Sequence, residues 1–564
     1  MPDTSMPDTS MAETLVPGTP AFDAIIVGSG AAGSFAAKEL TDQGLTVLLL
    51  EAGREVGKGD FDPRKKPKKP APINIFERAI ATVMGQGIQS RAAFFRGMLA
   101  HFYVSDRHNP YTTPKDAPFV WIRGRQAGGR THTFGRVLYR WSDDDFKSKS
   151  RTGRGVDWPV SYDELAPFYD EVETHLGLYG NTDGLAQIPD GTYKSAAKLT
   201  PAEVDFKARV EARNPERHVI AWRSLAPSPD RVFPPMKAAK DSGKLTVCYN
   251  SVAKRVLTVG ATASGVEVVD TQSGAVRVVT APRIVLCASP IESVRLLLNS
   301  KSAEHPQGLG NSSGTLGRYF MDQIPMLAMG IYPPVKGFAG DDSQPKDDFY
   351  DPQGGIFIPR FDDQGNPAAR GDFDFQGGVG RAPVGDSDPA KLLFFGFGQM
   401  QPHADNRITL DPKKTDKWGI PVAHIRCTMH AEEEALLEQQ QAAFLDTVNG
   451  AGGQVEFLGT PKGIREWGRG VYPEAGPLSR FLFRKFFSRV MVMGAAIHET
   501  GGARMGHDPA SSVLNSFGQL WDAPNVYVTD ASAFAGSGVS GTTLTVMAQT
   551  VRACRHLAQS LKRD

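Results

Sequence analysis

The sequence has no uninterrupted apolar run of about 18 residues, so no segment reads as a membrane-spanning helix. It also lacks a charge imbalance. Lysine plus arginine number 63 against 62 aspartate plus glutamate, a formal net charge of +1. That offers no chain-wide attraction for nucleic acid or an anionic surface. Cysteine is scarce. Cys248, Cys287, Cys427 and Cys554 are scattered through 564 residues with no CxxC, no CxxCH and no metal-ligand spacing. The expectation is four buried thiols and no metal, haem or iron–sulfur cluster, so a haem-bearing electron carrier would be a separate polypeptide. The first residues, MPDTSMPDTSMAETLVPGTP, lack a basic n-region, an apolar h-region and a twin arginine. They read as a disordered leader over 1–20, with the cytoplasm as the expected location.

Turn formers, by contrast, are plentiful, with Gly 59 and Pro 40, which points to many loops rather than long bundles. The first patterned segment is FDAIIVGSGAAGSFAAKELTDQGLTVLLLEAG, residues 22–53. An apolar strand over Ala24–Val27 runs into Gly28-Ser29-Gly30-Ala31-Ala32-Gly33, then a helix, then a second apolar strand closing at Glu51. In that setting Gly28 permits the tight turn, Gly30 lets backbone approach a pyrophosphate, and Gly33 lets helix pack on strand. The helix N-terminus offers N–H groups to phosphates. Glu51, 18 residues after Gly33, can bind both hydroxyls of a ribose, and its charge argues against a 2′-phosphate. At the other end of the chain, a strand at Asn525–Thr529 leads into Asp530 and Ala531, then a Gly/Ser-rich turn and a helix from about Thr543. A cofactor reaching from Gly30 to that helix needs the length of FAD, and the helix dipole there would stabilise negative charge on a reduced flavin.

Between these ends, Arg64–Pro72 is basic and Pro-rich, and residues 73–104 have helical character; a solvated run beside a docked helix is the simpler reading, a partner or lipid surface the alternative. WPVSYDELAPFYD predicts a helix with a capping box of Ser161 and Glu164. Residues from about 331 to 490 alternate strand-like segments with polar turns around an amphipathic helix at 431–448. The expected fold is α/β: a Rossmann-type FAD-binding domain plus an α+β substrate domain with an antiparallel sheet. The expected division is 21–330 for the FAD-binding domain with a variable arm at 60–118, 331–490 for the substrate domain, and 491–564 returning to the first.

The βαβ unit, GRQAGGRTHTFGR at 124–136, the 158–170 helix, NSSGTLGRYFMD at 311–322 and the tail HETGGARMGHDPASSVLN…NVYVTDAS…TLTVMAQTVRA together resemble the glucose–methanol–choline (GMC) oxidoreductases. The tail is most similar to the bacterial branch of glucoside 3-dehydrogenases and pyranose oxidases. The resemblance implies roles position by position. Gly28, Gly30, Gly33 and Glu51 would hold the ADP moiety. Gly128, Gly129 and Thr131 would pass the flavin ring, and Val252 would meet adenine. Asp530, Ala531, Thr543 and Leu544 would close the site. Some relatives attach FAD covalently through a histidine in the glycine loop. Thr133 stands there here, with His132 one residue earlier, so non-covalent FAD is expected.

His498, opening HETGGARMG, matches the family's catalytic base, which takes the hydroxyl proton while hydride leaves carbon. A second His or Asn normally orients the same hydroxyl. In the sugar branch it is the Asn of an Asn-Pro-Thr/Ser-Leu-Thr run, and here that position is Gly541. Ser540, Thr542 or a water would have to substitute. Gln323, Gln399, Gln401 and His403 lie where the branch places substrate contacts. The expected function is FAD-dependent oxidation of a sugar or glycoside secondary alcohol, at C3, with a quinone, cytochrome or dioxygen as acceptor. The alternative is a flavin-containing lyase or isomerase that uses His498 without net redox chemistry.

Overall fold

The computed structural model describes residues 22–66, 75–92, 95–335, 347–351, 354–361, 371–381, 387–467 and 477–562. The leader expected over 1–20 and part of the basic run fall outside them. The strand β1, Ala24–Val27, and the strand β2, Val47–Leu50, are buried at every position. Such strands suit the middle of a parallel sheet covered on both faces. That is where they lie: the order across the sheet is Val526–Val528, Arg283–Leu286, β1, β2, Leu245–Cys248, all parallel. The helix α1, Ala31–Asp42, crosses from β1 to β2 and packs against the last helix, Thr543–Leu561. The two chain ends therefore close one layered core.

A second, seven-stranded sheet is antiparallel and centred on Ile324–Tyr332, Ala390–Gly398 and Phe373–Val379. Helices Ala431–Gly450 and Pro201–Arg213 cover one of its faces. This sheet begins before residue 331 and takes its edge strand Ile220–Ala221 from the segment assigned above to the first domain. The hairpin Arg407–Thr415/Pro421–Arg426, by contrast, packs on the helix Pro290–Asn299 of the cofactor side. Pairings across more than a hundred residues leave no trace in local periodicity, and a linear boundary misses them.

The helix Tyr162–Leu176 has the predicted cap: Ser161 N–H donates to the Glu164 carboxylate at 2.8 Å, and Glu164 N–H donates to Ser161 Oγ at 3.3 Å. The arm is less helical than expected. Among its described residues only Ile75–Val83 is α-helix, followed by short 3₁₀ turns at Gln89–Arg91 and Gly97–Phe102. Gly85, Gly87 and Gly97 interrupt it. No helix among the described residues is long and apolar enough to cross a membrane.

Candidate active site

Gly28 adopts φ +97°, and a Cβ there would lie 2.6 Å from the Cys287 carbonyl oxygen. A Cβ on Gly33 would lie 1.8 Å from the Gly28 carbonyl oxygen. Neither position has room for a side chain. Gly30 differs, with nothing within 4 Å of its would-be Cβ, because it borders a cavity of about 350 Å³. That cavity runs from Glu51 and Val252 at one end to His498 and Gly541 at the other.

Several features of its wall test whether FAD fits. Helix α1 starts at Gly30 with no side-chain cap and no acidic residue in its first turn, and the same is true of Thr543–Leu561 at Thr542. Both helices thus leave N–H groups and a positive dipole end open to an anion. Glu51 is buried and accepts from Gly53 N–H at 2.8 Å through Oε1, and from Ser29 N–H at 3.1 Å and the Ser29 hydroxyl through Oε2. Burial raises its pKa, and the hydrogen bonds and the Arg125 charge oppose the rise. Oε2 thus takes two donors, whereas Oε1 takes one and keeps a lone-pair site. The glycine loop docks directly on this turn: Gly128, at φ +81°, donates its N–H to Ser29 Oγ at 2.9 Å, and Thr131 Oγ1 donates to the Gly128 carbonyl at 2.7 Å. Asp530 is buried, accepts from Ser532 N–H at 2.9 Å and from the Ser293 hydroxyl, and has its pKa raised by burial. An elongated, phosphate-bearing dinucleotide such as FAD fits this donor set.

At the far end stands His498, on a backbone held from behind. Asp322 accepts the N–H of His498 through Oδ1 at 2.9 Å and that of Gly494 through Oδ2 at 2.8 Å. Burial and the neighbouring Glu499 push the Asp322 carboxyl up to about 7. Ile497, directly before the histidine, sits at φ +62°, a strained conformation for a β-branched residue. Gln323 is fully buried and its amide nitrogen donates to three carbonyls, of Ser537 at 3.2 Å, Gly538 at 3.1 Å and Ser540 at 3.0 Å. Three acceptors on one side settle which end of the amide is nitrogen. Its oxygen therefore faces His498 Nδ1, at 2.5 Å. Nδ1 must carry the proton, and Nε2 presents its lone pair. Burial, and then the Arg130 charge, lower the His498 pKa to about 3. Arg130 itself pairs with Glu499 at 2.9 Å.

Of the residues singled out in the sequence, Gly28, Gly30, Glu51, Gly129, Thr131, Val252, Asp530, Ala531, Thr542, Thr543 and His498 share the cavity wall. Gly33, Gly128 and Leu544 stand just behind it. Ser540 is buried and presents its carbonyl to Gln323 and to Trp141 Nε1, off the wall. Gln323, Gln399 and Gln401 are also off the wall, which corrects their reading as substrate contacts: Gln323 lies behind the histidine, and Gln399 and Gln401 are buried in the segment that leaves the strand Ala390–Gly398. The side chains that do face His498 are others. Phe397 lies 4.7 Å from its ring, and Phe395 and its cross-strand partner Gln376 line the same stretch. The alternation in AKLLFFGFG puts Phe395 and Phe397 on one face, a signal that was available in the sequence. The cluster of Arg123 and Arg125 against Glu292 near the ADP end was not foreseen.

Residues 402–550 match the family model of the GMC oxidoreductases, and residues 26–90 match that of the NAD(P)-binding Rossmann-like domain. The chain thus carries a GMC oxidoreductase C-terminal domain together with a Rossmann-like domain. It is similar to a 2-methyl-1,2-propanediol dehydrogenase of Mycolicibacterium austroafricanum, 26% identical with 95% of each chain covered. It is also similar to a C-glycoside 3-oxidase of Arthrobacter globiformis, 23% identical with 96% of each covered. Among solved structures, a formate oxidase of Aspergillus oryzae superposes with a TM-score of 0.64 at 16% identity, over 97% of this chain and 100% of that one. The protein is thus an FAD-dependent oxidoreductase acting on CH–OH donors.

Proposed function

We propose that this GMC enzyme oxidises a secondary alcohol of a sugar or glycoside, at C3, with His498 as the base. The observation that carries this is the amide clamp of Gln323, which leaves the Nε2 lone pair of a neutral imidazole facing the cavity. Bound FAD supplies the hydride acceptor. The chain's own part is to hold the carbinol and take its proton. Nε2 accepts the hydroxyl proton, and Gln323 Oε1 holds the Nδ1–H so that the ring cannot turn. Asp322 fixes the backbone beneath it, and Phe397 keeps water from that side of the ring. A Cβ on Gly541 would lie 3.9 Å from Nε2. The missing asparagine thus leaves open space at the spot where the hydroxyl must come, room that suits a bulky glycoside. The C-glycoside 3-oxidase among the relatives supports the substrate class and the carbon.

The FAD is held non-covalently in this reading. Thr133 faces the cavity, whereas His132 is off the wall, stacked on Phe102, with Nε2 2.9 Å from the Ala127 carbonyl. Acid precipitation should leave a colourless pellet and FAD in the supernatant; yellow protein would reject non-covalent binding. The activity itself is tested by anaerobic mixing with a panel of glycosides. Bleaching of the flavin absorbance with a 3-keto product supports the proposal. Product formed while the flavin stays yellow would move the chemistry to a lyase or isomerase. Readmission of air then separates an oxidase, which reoxidises quickly, from a dehydrogenase needing a quinone or cytochrome.

A further inference from the structure

One cluster of ligand-type side chains lies outside the cavity, where the segment leaving Ala390–Gly398 meets the N-terminus of the helix Ala431–Gly450. His430 is the cap residue of that helix, and Glu432, Glu433 and Glu434 fill its first turn. Glu433 is almost fully buried, and part of its capacity is spent on backbone: Oε1 accepts from Gln401 N–H at 3.0 Å and Oε2 from His430 N–H at 2.7 Å. Its other lone pairs face two imidazoles. His403 Nε2 lies 2.9 Å from Glu433 Oε1 and 3.2 Å from Glu432 Oε1. His430 Nδ1 lies 3.8 Å from Glu433 Oε2, and the two rings are 3.6 Å apart.

The hydrogen bonds do not close this arrangement. The outer nitrogen of His430, Nε2, is 3.3 Å from Asp405 Oδ2 and donates to it. The inner nitrogen, Nδ1, faces Glu433. That nitrogen is buried and makes no hydrogen bond. A buried ring nitrogen 3.8 Å from a carboxylate oxygen, too far for a hydrogen bond, leaves room for a cation between them. Ligand atoms on a tetrahedral ion with bonds of about 2.0–2.1 Å stand roughly 3.3 Å from one another, and the separations of 2.9, 3.2 and 3.8 Å bracket that value. The helix dipole opposes a cation at this end, and the three first-turn carboxylates offset it.

We infer that His403, His430 and Glu433 bind one divalent ion of the zinc class, with Glu432 as the available fourth donor and Asp405 orienting His430 from behind. Two imidazoles with carboxylate favour such an ion over calcium or magnesium, which take oxygen donors. A carboxylate on the far nitrogen of a ligating histidine is the usual outer-shell partner. The two histidines are 27 positions apart in the chain, so a scan for cysteine spacing misses them. The ion would pin residues 401–403 to the helix. Met400, next to them, donates its N–H to Ser537 Oγ at 3.0 Å, and Ser537 is one of the carbonyls that hold Gln323. The site is structural and lies outside the oxidation chemistry.

The test uses the full-length, untagged, FAD-loaded protein after chelator treatment, titrated with Zn²⁺ and separately with Co²⁺. One equivalent of Zn²⁺ should bind and raise the melting temperature. Co²⁺ should give the visible absorption of a tetrahedral N/O site, and Ca²⁺ should not compete. The double variant His403→Ala/His430→Ala should lose that equivalent while keeping its flavin spectrum, and Asp405→Asn should weaken binding by about 10–100-fold. No bound equivalent in the wild type, or the same equivalent in the double variant, overturns the assignment.

Discussion

In the proposed chemistry, His498 depends on a neighbour whose place in the chain suggests another role. Gln323 was placed among substrate contacts from its position in the chain, and the structure puts it behind the base with both ends of its amide engaged. Its motif was legible; its direction was not, because a side chain's target depends on the loop Ser537–Ser540, more than two hundred residues away. His498→Ala should lower kcat by roughly 10²–10⁴-fold while FAD content stays unchanged. Gln323→Leu should lower kcat by at least about tenfold with a small change in KM, since the ring and not the substrate loses its partner. It should also melt lower, because three carbonyls lose a donor. A Gln323→Leu enzyme with wild-type kcat would detach the clamp from the chemistry. The base is free across the neutral range: with a pKa lowered to about 3, its active form persists as pH falls. kcat/KM should then stay flat from pH 8 to 5, where a histidine at the ordinary value near 6.5 would already have lost most of its activity. Gly541→Leu tests the open space beside Nε2. It should fold and bind FAD, and its kcat/KM should fall more than tenfold; an unaffected enzyme would place the substrate elsewhere.

At the scale of elements, the βαβ unit was read almost residue for residue, since a continuous apolar strand, a glycine turn and a helix are local patterns. The second sheet was read only in kind. Its membership depends on pairings such as Ile356 with Ala221, which no local period announces. The glycine turn shows how element and site divide the labour. Gly33 exists so that α1 can lie on β1, whereas Gly30 exists so that something can lie on α1. Gly33→Ala puts a Cβ 1.8 Å from a carbonyl oxygen, so it should unfold or strongly destabilise the protein with or without cofactor. Gly30→Ser meets open space in the protein itself. Its apoprotein should melt within a degree or two of wild type, while FAD affinity, read by flavin fluorescence, falls more than tenfold. Equal stability losses in the two apoproteins would erase the distinction.

Across the whole molecule, both chain ends meet on one cavity, and the groups buried around it set how the fold responds to acid. Unfolded histidine takes up a proton as pH falls through about 6.5. Folded His498 resists until about 3 and folded His132 until about 4, both chiefly through burial. Their contribution to stability is therefore full above pH 6.5 and is lost on acidification. Asp322 runs the other way: its folded pKa of about 7 lies above the ordinary carboxylate value, so the folded form takes up a proton first and gains as pH falls below 7. The carboxyls of Glu51, Asp374 and Asp530, also raised by burial, act in the same direction as Asp322, so these acids oppose the two histidines, each of which costs about 1.4 kcal/mol per pH unit between pH 6 and 5. His101 and His175, also lowered by burial, add to the loss. His132→Phe isolates one of these terms, because a phenyl ring can keep the stack on Phe102 and the edge contact with Phe61. The slope of unfolding free energy against pH, measured by denaturant titration of the FAD-loaded enzyme, should shrink by about one proton in that variant. An unchanged slope would mean that His132 already carries its proton in the folded enzyme, and that burial does not govern this loop.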